Sequence, residues 1–172
     1  MHKSSLKEMD QFFTKYLVKN KFYNILDIGS LSVHGHKTYH DLLQKHTEFS
    51  CNYLGVDIVD GPNVDIIINP NDYLGSQLIQ EFNIIISGQT LEHVDNIFMF
   101  MQSLISVADS KGCLICLIAP AAGLEHHQPD YWRILPDGMK TLFSWANIKP
   151  LEIYNNGIKP WCDTVGIGEY KL

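Results

Sequence analysis

An apolar run that ends in a glycine, and a second that ends in an aspartate, are the first places where this sequence could do chemistry. After FYNI the chain reads Leu26-Asp27-Ile28-Gly29-Ser30-Leu31-Ser32-Val33-His34-Gly35. A glycine closing a buried strand lets backbone approach a ligand closely, and N–H groups exposed there can hold a carboxylate. The next apolar run ends in Gly55-Val56-Asp57-Ile58. A carboxylate at that point can accept hydrogen bonds from both hydroxyls of an adenosine ribose. Asp57 stands 28 residues beyond Gly29, somewhat more than the roughly 20 residues usual between these two signals. The full G-x-G-x-x-G pattern is absent, since only Gly29 and Gly35 remain of it. Either signal alone fits an ordinary turn; the pair favours an adenosine-type cofactor.

Histidine and cysteine offer other chemistry. His34, His36 and His40 lie near the first glycine turn, and His126 and His127 form a second group. Two loops carrying them could meet above a sheet and supply metal ligands. Only His36 and His40 share the i, i+4 spacing of one helix face, and no H-E-x-x-H motif is present, so no metal is expected. Cys113 and Cys116 have the spacing of a metal knuckle but sit inside the continuous apolar run GCLICLIAP. Residues three apart on a strand point to opposite faces, so these thiols cannot converge on one ion. With Cys51 and Cys162 they read as reduced thiols, which fits a reducing compartment.

The elements that must position these groups follow from periodicity. Residues 5–20 place Leu6, Met9, Phe13, Tyr16 and Leu17 on one helical face. Strands are expected at 22–29, 52–57, 64–68, 82–87 and 113–119, with late candidates at 150–154 and 164–167. Helices are expected at 37–46, 73–82, 94–108 and 136–145, the last with Pro136 in its favoured first turn. Uniformly apolar strands alternating with helices indicate an α/β protein with a mainly parallel sheet covered on both faces. Ligands of such sheets bind at the carboxyl ends of the strands, where strand order reverses. The expectation is one domain over residues 1–172, with an N-terminal helix in 1–20 and the core in 21–172.

Composition narrows the partners. Hydrophobic residues make up 45% and charged residues 19%, a globular balance. Thirteen basic residues without a cluster, against nineteen acidic ones, give a formal charge of −6 and argue against nucleic acid. No apolar run is long enough to span a membrane, and MHKSSLKEMDQFF does not read as a secretion signal. A cytoplasmic protein is expected.

Beyond these local signals, ILDIGS, YLGVDIVDGPNVDIII, FNIIISGQTLEHV and GCLICLIAP resemble successive motifs of class I S-adenosylmethionine-dependent methyltransferases. The sequence is most similar to a bacterial and viral subgroup. In that subgroup ISGQ-x-x-EHV is followed by AP-x-x-G-x-EH and then by an aromatic-Arg-x-x-PDGM helix. These stand here at residues 86–94, 119–126 and 131–139, and the closing DTVG at 163–166 matches as well. The resemblance covers residues 23–167 and implies a Rossmann-like fold. It also implies S-adenosylmethionine as cofactor, with S-adenosylhomocysteine as product.

By position, the resemblance implies that Asp27 and Gly29 line the methionine part, with Ser30 and neighbouring N–H groups near its carboxylate. Asp57 would hold the ribose, Ile58 would pack on the adenine, and Asn71 and Asp72 would approach its edge. Ser87, Gly88 and Gln89 would border the sulfonium, with His93 on the cofactor side or in packing. The turn departs from the family's commoner G-x-G-x-G by carrying Ser30-Leu31-Ser32. Methyl transfer to a hydroxyl needs alignment and a base for its proton. His126 is the expected base, with His127 or Asp130 next. Tyr131, Trp132 and Arg133 suit stacking on a sugar face; equally, Trp132 could pin the loop while Arg133 pairs with an acidic neighbour.

The expected reaction is O-methylation of a saccharide hydroxyl in glycan biosynthesis, since the subgroup resembles enzymes associated with glycan assembly. The alternatives are methylation of another small molecule at O or N, and a cofactor-binding domain without turnover. NAD-dependent oxidoreduction fits less well, because the second glycine of the turn is missing. With no insertion for a lid, the acceptor site is expected to use the N-terminal helix, residues 126–133 and a second subunit of a homodimer.

Overall fold

The computed structural model describes residues 3–124 and 129–172. Among them, seven strands form one sheet: β1 (Phe22–Ile28), β2 (Ser50–Asp57), β3 (Ile66–Ile67), β4 (Ile84–Gly88), β5 (Cys113–Ala119), β6 (Lys149–Asn155) and β7 (Thr164–Tyr170). Their order is β3-β2-β1-β4-β5-β7-β6. The first five pair in parallel, whereas β7 runs antiparallel to both β5 and β6. Strand order reverses between β1 and β4, so the carboxyl ends of these two strands frame the crevice where a ligand is expected.

Helices α1 (Lys3–Tyr16) and α2 (Tyr39–Leu43) cover one face; α3 (Leu74–Gln77), α4 (Ile97–Ile105) and α5 (Pro136–Trp145) cover the other. The period of two along each strand divides the apolar residues between two cores. Ile84 and Ile86 enter the core under α1 and α2, while Ile85 enters the other. Cys113 and Cys116 likewise enter different cores, unbridged, and burial pushes both thiols up.

Strand β5 and helix α5 occupy the expected residues. β3, α2, α3 and α4 are shorter than expected, whereas β2, β6 and β7 run longer. β3 has a partner on one side only, and both its residues are exposed. α4 starts at Ile97 because the Asn96 side chain caps it, accepting from the Met99 N–H at 3.0 Å. α2 is five residues long and opens with a reciprocal capping box between Thr38 and Asp41. No helix among the described residues is long and apolar enough to cross a membrane.

Candidate functional site

At the reversal point the turns after β1 and β4 touch. Gly29 has φ +80°, and a Cβ there would overlap the Thr90 side chain. Ser87 Oγ donates to the Ile28 carbonyl at 2.7 Å, and Thr90 Oγ1 lies 3.3 Å from the same oxygen. Ser87 is therefore a stitch between β1 and β4. Gly88 is needed for another close approach, because a Cβ there would overlap the Tyr39 hydroxyl. Gln89 follows with φ +59°; its Nε2 donates to Asp163 Oδ1 at 3.2 Å, and its Oε1 is buried without a partner.

The Gly29 turn and Asp57 lie side by side: the Gly29 N–H donates to the Val56 carbonyl at 2.9 Å, and Asp57 holds the turn that follows. Asp57 Oδ2 accepts from the Leu31 N–H at 3.1 Å, and Oδ1 accepts from Ile58 at 2.7 Å and Val59 at 3.3 Å. The side chains of Ile58 and Val59 stay exposed beside it, an apolar surface suited to a flat ring. One expectation needs correction. The N–H groups of Gly29 and Ser30 donate to the Val56 carbonyl, Leu31 to Asp57, and Ser32 to the Pro62 carbonyl. Ser30 Oγ donates to the Asn63 carbonyl at 2.8 Å. The Ser30-Leu31-Ser32 sequence thus folds back onto β2 and the following turn, and these donors are already engaged rather than presented to a carboxylate.

Asp27 is fully buried at the end of β1. Its Oδ2 accepts from the Tyr53 hydroxyl at 2.6 Å; its Oδ1 is buried with no partner. Burial pushes the carboxyl up to about 7, against a downward pull from the Tyr53 hydrogen bond, while nearby Asp57 pushes it further up. That oxygen keeps its capacity to accept a further donor. Asn71 and Asp72 are exposed after β3, where Asn69 gathers them: Asn69 Nδ2 donates to Asp72 Oδ2 at 2.8 Å, and Asn69 Oδ1 accepts from the Asn71 N–H at 3.1 Å.

Beyond β4, His93 Nδ1 donates to the Pro129 carbonyl at 2.6 Å, which ties the turn after β4 to the segment after β5. Arg133 grips Asp130 with two bonds, at 2.6 and 2.7 Å, and its Nε donates to the Gly123 carbonyl at 2.8 Å. Both carboxylate oxygens of Asp130 are thus engaged by Arg133, which argues against its serving as the base. Trp132 Nε1 donates to the Val94 carbonyl at 2.7 Å. Trp132 and Arg133 line a groove of about 370 Å³ with Ile97, Phe98, Leu135 and Leu142, on the α4 and α5 side. For these two residues the geometry favours loop pinning over sugar stacking; Tyr131 remains exposed. The expected bases His126 and His127 lie outside the described residues.

Two buried polar contacts near these turns were not expected from the sequence. Asp163, fully buried before β7, accepts from Ser4 Oγ at 2.6 Å. The Ser5 and Tyr39 hydroxyls are hydrogen-bonded to each other. Spacing could not reveal these contacts, because they join separate elements, 159 residues apart for Ser4 and Asp163 and 34 for Ser5 and Tyr39. Among the described residues, no group of three or more His, Cys, Asp and Glu side chains is placed to hold a metal ion.

No protein-family model matches this sequence, and no curated protein matches it. Solved structures do match. A SAM-dependent methyltransferase from Aquifex aeolicus superposes with a TM-score of 0.65 at 13% identity, covering 98% of each chain. The 1,6-didemethyltoxoflavin-N1-methyltransferase of Burkholderia thailandensis, with bound 1,6-didemethyltoxoflavin and S-adenosylhomocysteine, gives 0.70 at 13% identity. That match covers 98% of this chain and 79% of that one. The N-terminal domain of EvdMO1, in the presence of S-adenosylhomocysteine and D-fucose, gives 0.56 at 14% identity over 99% and 83% of the two chains. What these proteins share with the present chain, across nearly its whole length, is a Rossmann-like α/β fold.

Proposed function

We propose that the protein is an S-adenosylmethionine-dependent methyltransferase acting on a hydroxyl of a saccharide. The observation that carries the first part is the shared crevice, in which Asp27, Gly29 and Asp57 meet at adjacent strand ends. Asp57 would accept the ribose hydroxyls, Ile58 and Val59 would face the adenine, and Asp27 Oδ1 would receive the ammonium. When bound, S-adenosylmethionine would supply a methyl group already activated by its sulfonium, leaving S-adenosylhomocysteine. The chain's own work is then alignment, with Gly88 and Gln89 bordering the reacting side, and removal of the acceptor's proton. With Asp130 held by Arg133, that proton falls to His126 or His127.

The saccharide rests on the subgroup resemblance, and a protein of like fold was solved in the presence of D-fucose. A second reading, methylation at N of another small molecule, is favoured by the likeness to the 1,6-didemethyltoxoflavin-N1-methyltransferase. Calorimetry with S-adenosylmethionine and S-adenosylhomocysteine tests the cofactor. Wild type should bind both, and Asp57→Ala should bind at least about tenfold more weakly. No heat from wild type removes the proposal, and undiminished binding by Asp57→Ala removes the ribose role. Methyl transfer from labelled S-adenosylmethionine to methyl glycosides, compared with heterocyclic amines, then separates the two acceptor readings.

A further inference from the structure

The roles above leave unexplained a hydrogen-bond network beneath the crevice. Asn63, in the Gly61-Pro62-Asn63 turn, has φ +72°, a conformation asparagine tolerates better than most residues. Its Nδ2 donates to the Ser30 carbonyl at 2.8 Å and to the Tyr53 hydroxyl oxygen at 3.0 Å. A carbonyl can only accept, so the orientation of the Asn63 amide is decided. The Tyr53 hydroxyl receives one hydrogen from Asn63 and gives its own to Asp27 Oδ2. Every bond from Ser30 to Asp27 therefore has one direction, and the series ends on one oxygen of one carboxylate.

Tyr53 is fixed in other ways too. Its ring stacks on His40, with centroids 4.3 Å apart and planes 7° from parallel. In the β1–β2 register Gly55 stands directly across from Asp27, and Tyr53 across from Ile25. Gly55 has no side chain, and a Cβ there would overlap the Asn63 carbonyl and the Ser30 hydroxyl, so the turn and β1 close directly over β2. A carboxylate without the Tyr53 donor could exchange its two oxygens by rotating about its last bond. With it, Oδ2 is occupied and Oδ1 alone stays buried and unpartnered.

We propose that Asn63 and Tyr53 are positioning residues that hold Asp27 Oδ1 as the receptor for a ligand's α-ammonium group, so that the site selects adenosyl ligands carrying an amino-acid tail. The inference rests on the S-adenosylmethionine reading and deepens it. Selectivity for the tail is built into the 61–63 turn and the middle of β2, neither of which is expected to touch the tail.

Two ligands isolate this role: S-adenosylhomocysteine, and 5′-methylthioadenosine, which keeps the nucleoside and sulfur but lacks the tail. Tyr53→Phe keeps the ring and its stack on His40. Asn63→Gly accepts the positive φ and keeps the backbone carbonyl that Ser30 uses. By calorimetry, Tyr53→Phe should bind S-adenosylhomocysteine about tenfold more weakly than wild type. Its affinity for 5′-methylthioadenosine should stay within about twofold. Asn63→Gly should shift the ratio in the same direction by a smaller factor. Equal weakening of both ligands, or no change for either, overturns the positioning role while leaving the cofactor reading intact. Wild type that binds neither ligand overturns the cofactor reading, and this inference with it.

Discussion

Asp27 carries opposing demands. Unfolded, its carboxyl titrates near about 4, whereas burial in the folded protein lifts it to about 7. Between those values the folded state holds a proton that the unfolded state has lost, so this group makes stability fall as pH rises through that window. Below it the contribution is absent, and above it the full penalty applies. Asp27→Asn removes the titration. Denaturant unfolding should show the variant gaining on wild type between pH 4 and pH 8, by on the order of 4 kcal/mol. A wild-type-minus-variant difference that stays flat across that range refutes the burial account. The same variant should lose S-adenosylhomocysteine affinity, because the amide lacks the charge that attracts an ammonium. The places of Asp57 and Gly29 at strand ends were legible in the sequence, because each closes an apolar run. Tyr53 and Asn63 were not, since their roles arise only when two strands and a turn pack side by side.

Tyr39 shows how whole elements are locked together. A five-residue helix such as α2 has too few internal bonds to persist alone. Its capping box starts it, and Tyr39, fully buried, docks it between the Ser5 hydroxyl of α1 and Gly88 of β4. Gly88→Ala should therefore cost about 1–3 kcal/mol in urea unfolding. Combining it with Tyr39→Phe removes the nearest overlapping atom, so the double variant should fall short of the sum by at least about 0.5 kcal/mol. Additive losses exclude contact between these two groups as the cause. At this scale the sequence was clearest where an element's limits are set locally. β5 is a continuous apolar run, and α5 begins at a proline; both occupy the expected residues. β3 and α3 shrank because neighbours, not local pattern, decide how far an edge strand or a single helical turn extends. The antiparallel direction of β7 left no trace either, since an apolar strand reads alike in both directions.

Across the whole molecule, one sheet separates two apolar cores, and the crevice groups gather at its carboxyl edge. A ligand in the crevice should therefore tighten one edge of the sheet and leave the other unchanged. Binding to the folded state alone stabilises it by about 2.7 kcal/mol at a hundredfold excess over Kd. For a chain of 172 residues that corresponds to a rise in Tm of about 5–10 °C. S-adenosylhomocysteine should produce this shift in wild type and a smaller one in Asp57→Ala. Amide hydrogen exchange locates the effect. The N–H groups of Gly29, Ser30, Leu31 and Ser32 are bonded to β2 and to the following turn, and those of Ile58 and Val59 to Asp57. Opening of those bonds requires the crevice walls to part, so bound ligand should slow exchange at these six positions. At the opposite edge, Asn20 bonds to Glu48 and Gly112 to Asp109, far along the strands from the crevice. Their local opening should proceed at the same rate with or without ligand. Slower exchange at those amino-end positions, with none at the turn after β1, places the ligand elsewhere and removes the crevice as the binding site.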